Sequence, residues 1–153
     1  MPISVINHNE YLIFELTEIY KKRINMNNIM LNIGLVACGG AFGATFRYLI
    51  GIGIISLFGK GFPFATLTVN VIGSLIMGYI FQLVQQGALG SSNWWPLIGV
   101  GFLGALTTFS SFSLDSLLLI QQGELFKALL NVALNVVVCL LAVYLGTLLV
   151  LKS

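Results

Sequence analysis

Charge is what this sequence has least of. Only 8% of its 153 residues are Asp, Glu, Lys or Arg, against 58% hydrophobic residues. So small a polar complement cannot cover the apolar surface in water, which excludes a water-soluble globular domain and makes lipid the natural solvent. Cysteine is also scarce. Cys38 and Cys139 both lie inside apolar runs, where cysteine packs as a small hydrophobe, so neither a disulfide framework nor a metal site is indicated. The net charge of +2 comes mostly from Lys21-Lys22-Arg23 beside a hydrophobic run, a placement suited to lipid headgroups and not to nucleic acid.

The charges that exist are clustered. Glu10, Glu15, Glu18, Lys21, Lys22 and Arg23 all precede residue 27, and the remainder of the chain divides into four apolar windows at residues 29–57, 64–84, 95–120 and 125–151. Each is long enough for a transmembrane helix, which takes roughly 20 residues. Short connections rich in Gly, Ser and Asn separate them, as in Phe58-Gly59-Lys60-Gly61-Phe62-Pro63 and Gln121-Gln122-Gly123-Glu124. The expectation is an all-α, multi-pass protein of the cell membrane, with one four-span domain over residues 29–153.

Residues 1–28 form an extension with two readings. Ile13, Leu16, Ile19 and Tyr20 recur at helical spacing beside Glu15, Glu18, Lys21 and Lys22, a pattern for an amphipathic helix lying on the membrane. Alternatively Met26 or Met30 begins the working protein and the extension is dispensable. The segment does not read as a secretory signal. With both termini on one side, Lys21, Lys22, Arg23 and Lys152 oppose Arg47, Lys60 and Lys127. That near balance dictates no single orientation, so insertion both ways is expected.

Within the spans the informative residues are small or polar. Gly39 and Gly43, and Gly40 and Ala44, lie four apart, forming faces that let helices approach closely. Arg47 either snorkels toward the end of the first span or takes a structural polar role. Thr66 and Asn70 share one face of the second span, either bonding a neighbouring helix or lining a path. Asn131, Asn135 and Cys139 repeat that spacing in the fourth. In the third, Gly99, Gly101 and Gly104 precede Thr107-Thr108-Phe109-Ser110-Ser111-Phe112-Ser113. Such crowding of glycine and hydroxyls suits a helix broken near the membrane centre with exposed carbonyls, or else a glycine-rich packing helix with hydroxyls bonded back one turn. Phe109 and Phe112 project from nearly one face, and their positive ring edges can hold a dehydrated anion without a full positive charge.

Three motifs in order resemble the Fluc, or CrcB, family of fluoride channels: residues 39–48 (GGAFGATFRY), 65–70 (ATLTVN) and 104–113 (GALTTFSSFS). The resemblance covers about residues 29–151. It implies an antiparallel, dual-topology homodimer with two fluoride pores and a buried structural sodium ion. Carried over by motif, it implies that Phe109 and Phe112 contact fluoride, with Asn70 as amide donor and Ser110, Ser113 and Thr66 as hydroxyl donors. Gly104 and Thr107 are implied carbonyl ligands of sodium, and Arg47 a structural residue or one at a pore entrance. Asn131 and Asn135 match no equally sharp motif. Ala65, Ala105, Ser111 and Asp115 depart from the usual family residues, and none removes a ligand type.

The function expected on this basis is passive, fluoride-selective conduction that lowers cytoplasmic fluoride, and not an enzymatic reaction. A small dual-topology multidrug or cation exporter is the first alternative, but it needs a titratable carboxylate within the membrane, and Asp115 alone approaches that place. A non-transporting membrane scaffold built on the glycine faces is the second.

Overall fold

The computed structural model describes residues 26–89 and 94–151. The amphipathic reading of residues 13–22 lies outside the described residues, as does Lys152. Helix α1 (Met26–Phe58) and helix α2 (Phe64–Gln85) are followed by α3 (residues 95–106), α4 (Phe109–Gln121) and α5 (Leu125–Leu151). Four helical runs, Asn28–Phe58, Phe64–Gln85, Trp95–Gln121 and Leu125–Leu151, are long and apolar enough to cross a membrane, and they fall within a residue or two of the windows read from hydropathy. The protein is a multi-pass membrane protein. At 33 residues, α1 exceeds the hydrocarbon thickness: about 1.5 Å per residue gives roughly 50 Å against about 30 Å.

The turns are set by glycine. Gly87 and Gly123 have φ of 70° and 78°, in the left-handed region that closes a helix without a Cβ penalty. After α2, Ala88 N–H reaches Leu83 O at 3.0 Å and Gly87 N–H reaches Val84 O at 3.1 Å; after α4, Glu124 and Gly123 make the same pair of bonds to Leu119 and Ile120. Both are Schellman closures, which occupy the carbonyls a helix end otherwise leaves without a partner.

Glycine also sets the packing. Gly39 and Gly43 on α1 lie directly against the carbonyls of Leu97 and Phe102 on α3, and Gly78 on α2 and Gly146 on α5 lie against the carbonyls of Val143 and Leu75. A Cβ at any of these four positions would overlap a backbone oxygen. The helices are thereby grouped as two close pairs, α1 with α3 and α2 with α5. Between the pairs sits a small apolar core of Val69, Leu103 and Leu106, backed by Ile50, Ile76, Met77, Ile98 and Phe102. The outside is apolar, whereas Asn70, Thr108, Ser116, Asn131 and Asn135 are buried. This arrangement suits a solvent without hydrogen-bond partners.

Helix α3 is not a regular α-helix. Trp95–Leu103 winds in wide π-type turns that pass into a short α-helical segment, Gly104–Leu106. Thr107 (φ −79°, ψ 156°) and Thr108 (φ −153°, ψ 118°) then run extended before α4 begins. A second π-type segment, Leu134–Val138, interrupts α5 around Asn135.

Gly78→Leu or Gly146→Leu should lower the thermal stability of the detergent-solubilised protein by about 1–3 kcal/mol or more, the range for overpacking a close contact. Gly34→Ala, which points into open space, should leave the melting temperature nearly unchanged. Equal melting of all three variants would contradict the packing described.

Candidate functional site

The extended Thr107–Thr108 pair exposes peptide groups that a continuous helix would occupy, and one side chain takes charge of them. Asn70 Oδ1 accepts the Thr108 N–H at 2.8 Å while Asn70 Nδ2 donates to the Thr108 carbonyl at 3.2 Å. One amide thus clasps both faces of one residue's backbone. Thr108 then starts α4 by a side-chain cap, its Oγ1 accepting the Ser111 N–H at 3.2 Å. Thr107 Oγ1 turns back and donates to Leu103 O at 2.9 Å.

Behind Asn70 the polar contacts continue through the interior. Asn70 Nδ2 donates to Asn135 Oδ1 at 2.9 Å, and Asn135 Nδ2 donates to Asn131 Oδ1 at 2.9 Å and to Asn131 O at 3.1 Å. Asn131 Nδ2 donates to Ser116 Oγ at 2.9 Å, and Ser116 Oγ donates to Phe112 O at 2.8 Å. Among the described residues every buried side-chain nitrogen and oxygen has a partner, as buried polar groups require.

Three hollows succeed one another along the α2 face. The first, about 290 Å³, is lined by Asn70, Thr108, Phe109, Phe112, Asn135 and Cys139 among others, and by no charged residue. The second, about 100 Å³, lies between Arg47, Thr66, Thr108 and Ser111. The third, about 370 Å³, is bordered by Lys60, Thr66, Asp115 and Gln122. Thr108 lines both the first and the second, and Ala65 and Thr66 line both the second and the third, so neighbouring hollows share one or two residues. Thr66 Oγ1 donates to Asp115 Oδ2 at 2.6 Å between them. The series is most charged near Lys60 and Asp115 and least polar at the phenylalanines.

The residues singled out in the sequence are distributed unevenly over this series. Phe109 and Phe112 form an edge-to-face pair, centroids 5.3 Å apart at 63°, with Phe112 8% exposed and Phe109 78% exposed. Asn70 joins them in the first hollow, whereas Thr66 lies beyond the clasp with Asp115 and Arg47. Ser110 and Ser113 face outward: Ser113 Oγ donates to Phe109 O at 2.9 Å, and Ser110 Oγ lies 3.2 Å from Thr108 Oγ1. Gly104 is exposed and Thr107 half-buried at the end of α3. In the fourth span Asn135 and Cys139 line the first hollow, but Asn131, 0% exposed, does not. Sequence reasoning named Thr108 only as part of a motif, and it missed Ser116, a lone serine with no signal of its own.

Gly104 and Thr107 can be tested as cation ligands on this geometry. In an uninterrupted helix the Thr108 and Ser111 N–H groups would bond the carbonyls of Gly104 and Thr107. Here the first goes to Asn70 and the second to Thr108 Oγ1. Both carbonyls have therefore lost their helical donors, as a helix interruption requires, and a carbonyl oxygen is chemistry that a hard cation takes.

Comparison with known proteins bears on this arrangement. Residues 34–147 match the family described as CrcB-like protein, Camphor Resistance (CrcB). A "Fluoride-specific ion channel FluC" of Photobacterium profundum is 53% identical over 121 residues, covering 79% of this chain and 95% of the relative. Proteins of the same name from Aliivibrio salmonicida and Shewanella amazonensis are 54% and 57% identical, each over 79% of this chain and 95% and 94% of the relative. The match over residues 34–147 and this similarity over nearly the whole length of the relatives lead to one conclusion: the chain belongs to the CrcB-like family.

Proposed function

We propose that the protein is a fluoride-selective channel that passes fluoride down its gradient and so lowers cytoplasmic fluoride. It is not an enzyme. The observation that carries the reading is the first hollow, where a phenylalanine pair, an asparagine amide and a threonine peptide converge with no charged group. A small anion leaving water needs compensation from many weak donors, and it must also depart, so ring edges and amides serve better than a lysine or arginine. Phe109 and Phe112 contact fluoride in this reading, and Asn70, whose Nδ2 gives its two hydrogens to Asn135 Oδ1 and the Thr108 carbonyl, meets the ion by exchanging the longer, 3.2 Å bond to Thr108 O for it. Thr66 continues the path past the clasp, and Arg47 stands at its entrance side. The hydroxyls of Ser110 and Ser113 face outward on α4 and serve a path completed by a second copy.

The assembly proposed is an antiparallel, dual-topology homodimer with two pores. The near balance of Lys and Arg across the spans supports it, as do the 78% exposure of Phe109 and the exposure of Gly104, which leave both beside any chain packed on this face. The helix break lies near the membrane centre in this assembly. Gly104 and Thr107 would hold a structural sodium ion there by their backbone carbonyls. Two carbonyls fall short of a cation's usual set, so the matching pair comes from the second subunit. A bound sodium ion would supply positive charge that offsets the facing carbonyl dipoles of Gly104 and Thr107. Neither exporter nor scaffold gains support: Asp115 bonds Thr66 near the connection residues and no carboxylate lines the Asn70 hollow.

Phe112→Leu and Phe109→Ile should each lower fluoride efflux from liposomes by about tenfold or more, the loss of one aromatic contact's worth of stabilisation, while the protein still elutes as a dimer. Undiminished efflux in both would remove the basis of the reading. For topology, Lys60→Cys in a background free of Cys38 and Cys139 should react with an impermeant maleimide from both sides of the cell membrane in comparable amounts. Reaction from one side alone would rule out dual insertion.

A further inference from the structure

The polar chain behind Asn70 begins and ends on the same short piece of backbone. It leaves from the carbonyl of Phe112, passes through Ser116, Asn131, Asn135 and Asn70, and returns to the N–H of Thr108. Phe109 and Phe112, the pair that faces the first hollow, lie on the stretch between those two ends.

Its direction is forced. A peptide N–H only donates, so Asn70 must turn Oδ1 toward Thr108 and Nδ2 toward Asn135. Asn135 must then present Oδ1 to Asn70, leaving its own Nδ2 for Asn131. Asn131 accepts through Oδ1 and so aims Nδ2 at Ser116 Oγ, whose proton goes to Phe112 O. Reversing any one amide would oppose two donors or two acceptors in a buried place, a loss not recovered from lipid.

On the channel reading, we infer that Asn131 and Ser116 are positioning residues for fluoride selectivity. They act through Asn135 and Asn70 to fix the Thr108 peptide and the tilt of the phenylalanine pair. Asn131 is wholly buried and lines none of the three hollows, and Ser116 is likewise absent from their walls. Neither touches the ion. Their effect travels through the amides.

The test compares wild type, Asn131→Leu, Ser116→Ala and the double variant, purified as dimers and reconstituted in liposomes. Fluoride and chloride efflux are read on the same preparations. Both single variants should lower the fluoride-to-chloride rate ratio by about three- to tenfold, the range for coupling through a packed network. The double variant should be no worse than the worse single one, because both cut one chain. Ser116→Ala, the loss of one hydroxyl, keeps the test alive if Asn131→Leu does not fold. A purely structural role would reduce the number of active dimers while leaving the ratio of the survivors unchanged, so an unchanged ratio overturns the inference, as does an additive double variant. If wild type conducts and Phe112→Leu does not, while both relay variants match wild type, the relay alone fails. If wild type passes no fluoride, the channel reading fails and the relay's role in selectivity falls with it.

Discussion

The bidentate bond between the Asn70 amide and the Thr108 peptide is the contact on which the rest of the interior depends. An interrupted helix in lipid leaves peptide groups without water to satisfy them, at a cost of several kcal/mol for each. Asn70 removes that cost for Thr108 on both its donor and its acceptor. With the Thr108 side chain capping α4, the interruption becomes a start signal for a new helix. Asn135, Asn131 and Ser116 stand in line behind this one amide, and Val69, the neighbour of Asn70 in sequence, belongs to the apolar core with Leu103 and Leu106.

The interior divides its polar work between two ends. On the Lys60 side, the Thr66 hydroxyl donates to the Asp115 carboxylate within a hollow open to the first connection. On the phenylalanine side, donors and acceptors are neutral and mutually satisfied. On the channel reading, an anion moving between them would leave the Lys60 and Arg47 charges for the uncharged hollow of the phenylalanine pair, where weak partners keep occupancy brief.

Much of this was legible in the sequence, for identifiable reasons. Hydropathy alone gives the four spans to within a residue or two because lipid imposes a length on every helix. The glycine face of Gly39 and Gly43 was readable from spacing, though its partner carbonyls on α3 were not. Thr66 and Asn70 could be placed on one face of α2, yet nothing in their spacing tells that one would bond Asp115, 49 residues on, and the other Thr108, 38 residues on. Pairing across helices is decided by packing. The stripe Asn131, Asn135, Cys139 predicted a shared surface, but the π-type turns of Leu134–Val138 lie within it, and Asn131 ends in the interior while the other two reach the hollow. Ser116 carried no signal because a single serine in a span reads the same whether it bonds its own helix or another.

The two glycine seams have a mechanical meaning. Where a helix rests on a neighbour's carbonyl oxygen with no side chain between, no rotamer can turn aside to let the pair slide. The α1–α3 and α2–α5 pairs therefore each resist internal sliding, so the α2 and α5 sides of the first hollow are held at a fixed separation while Phe109 and Phe112 enter it from α4, outside either seam. On the channel reading, two sides of that hollow act as a fixed gauge for the ion, and its third side is the phenylalanine pair.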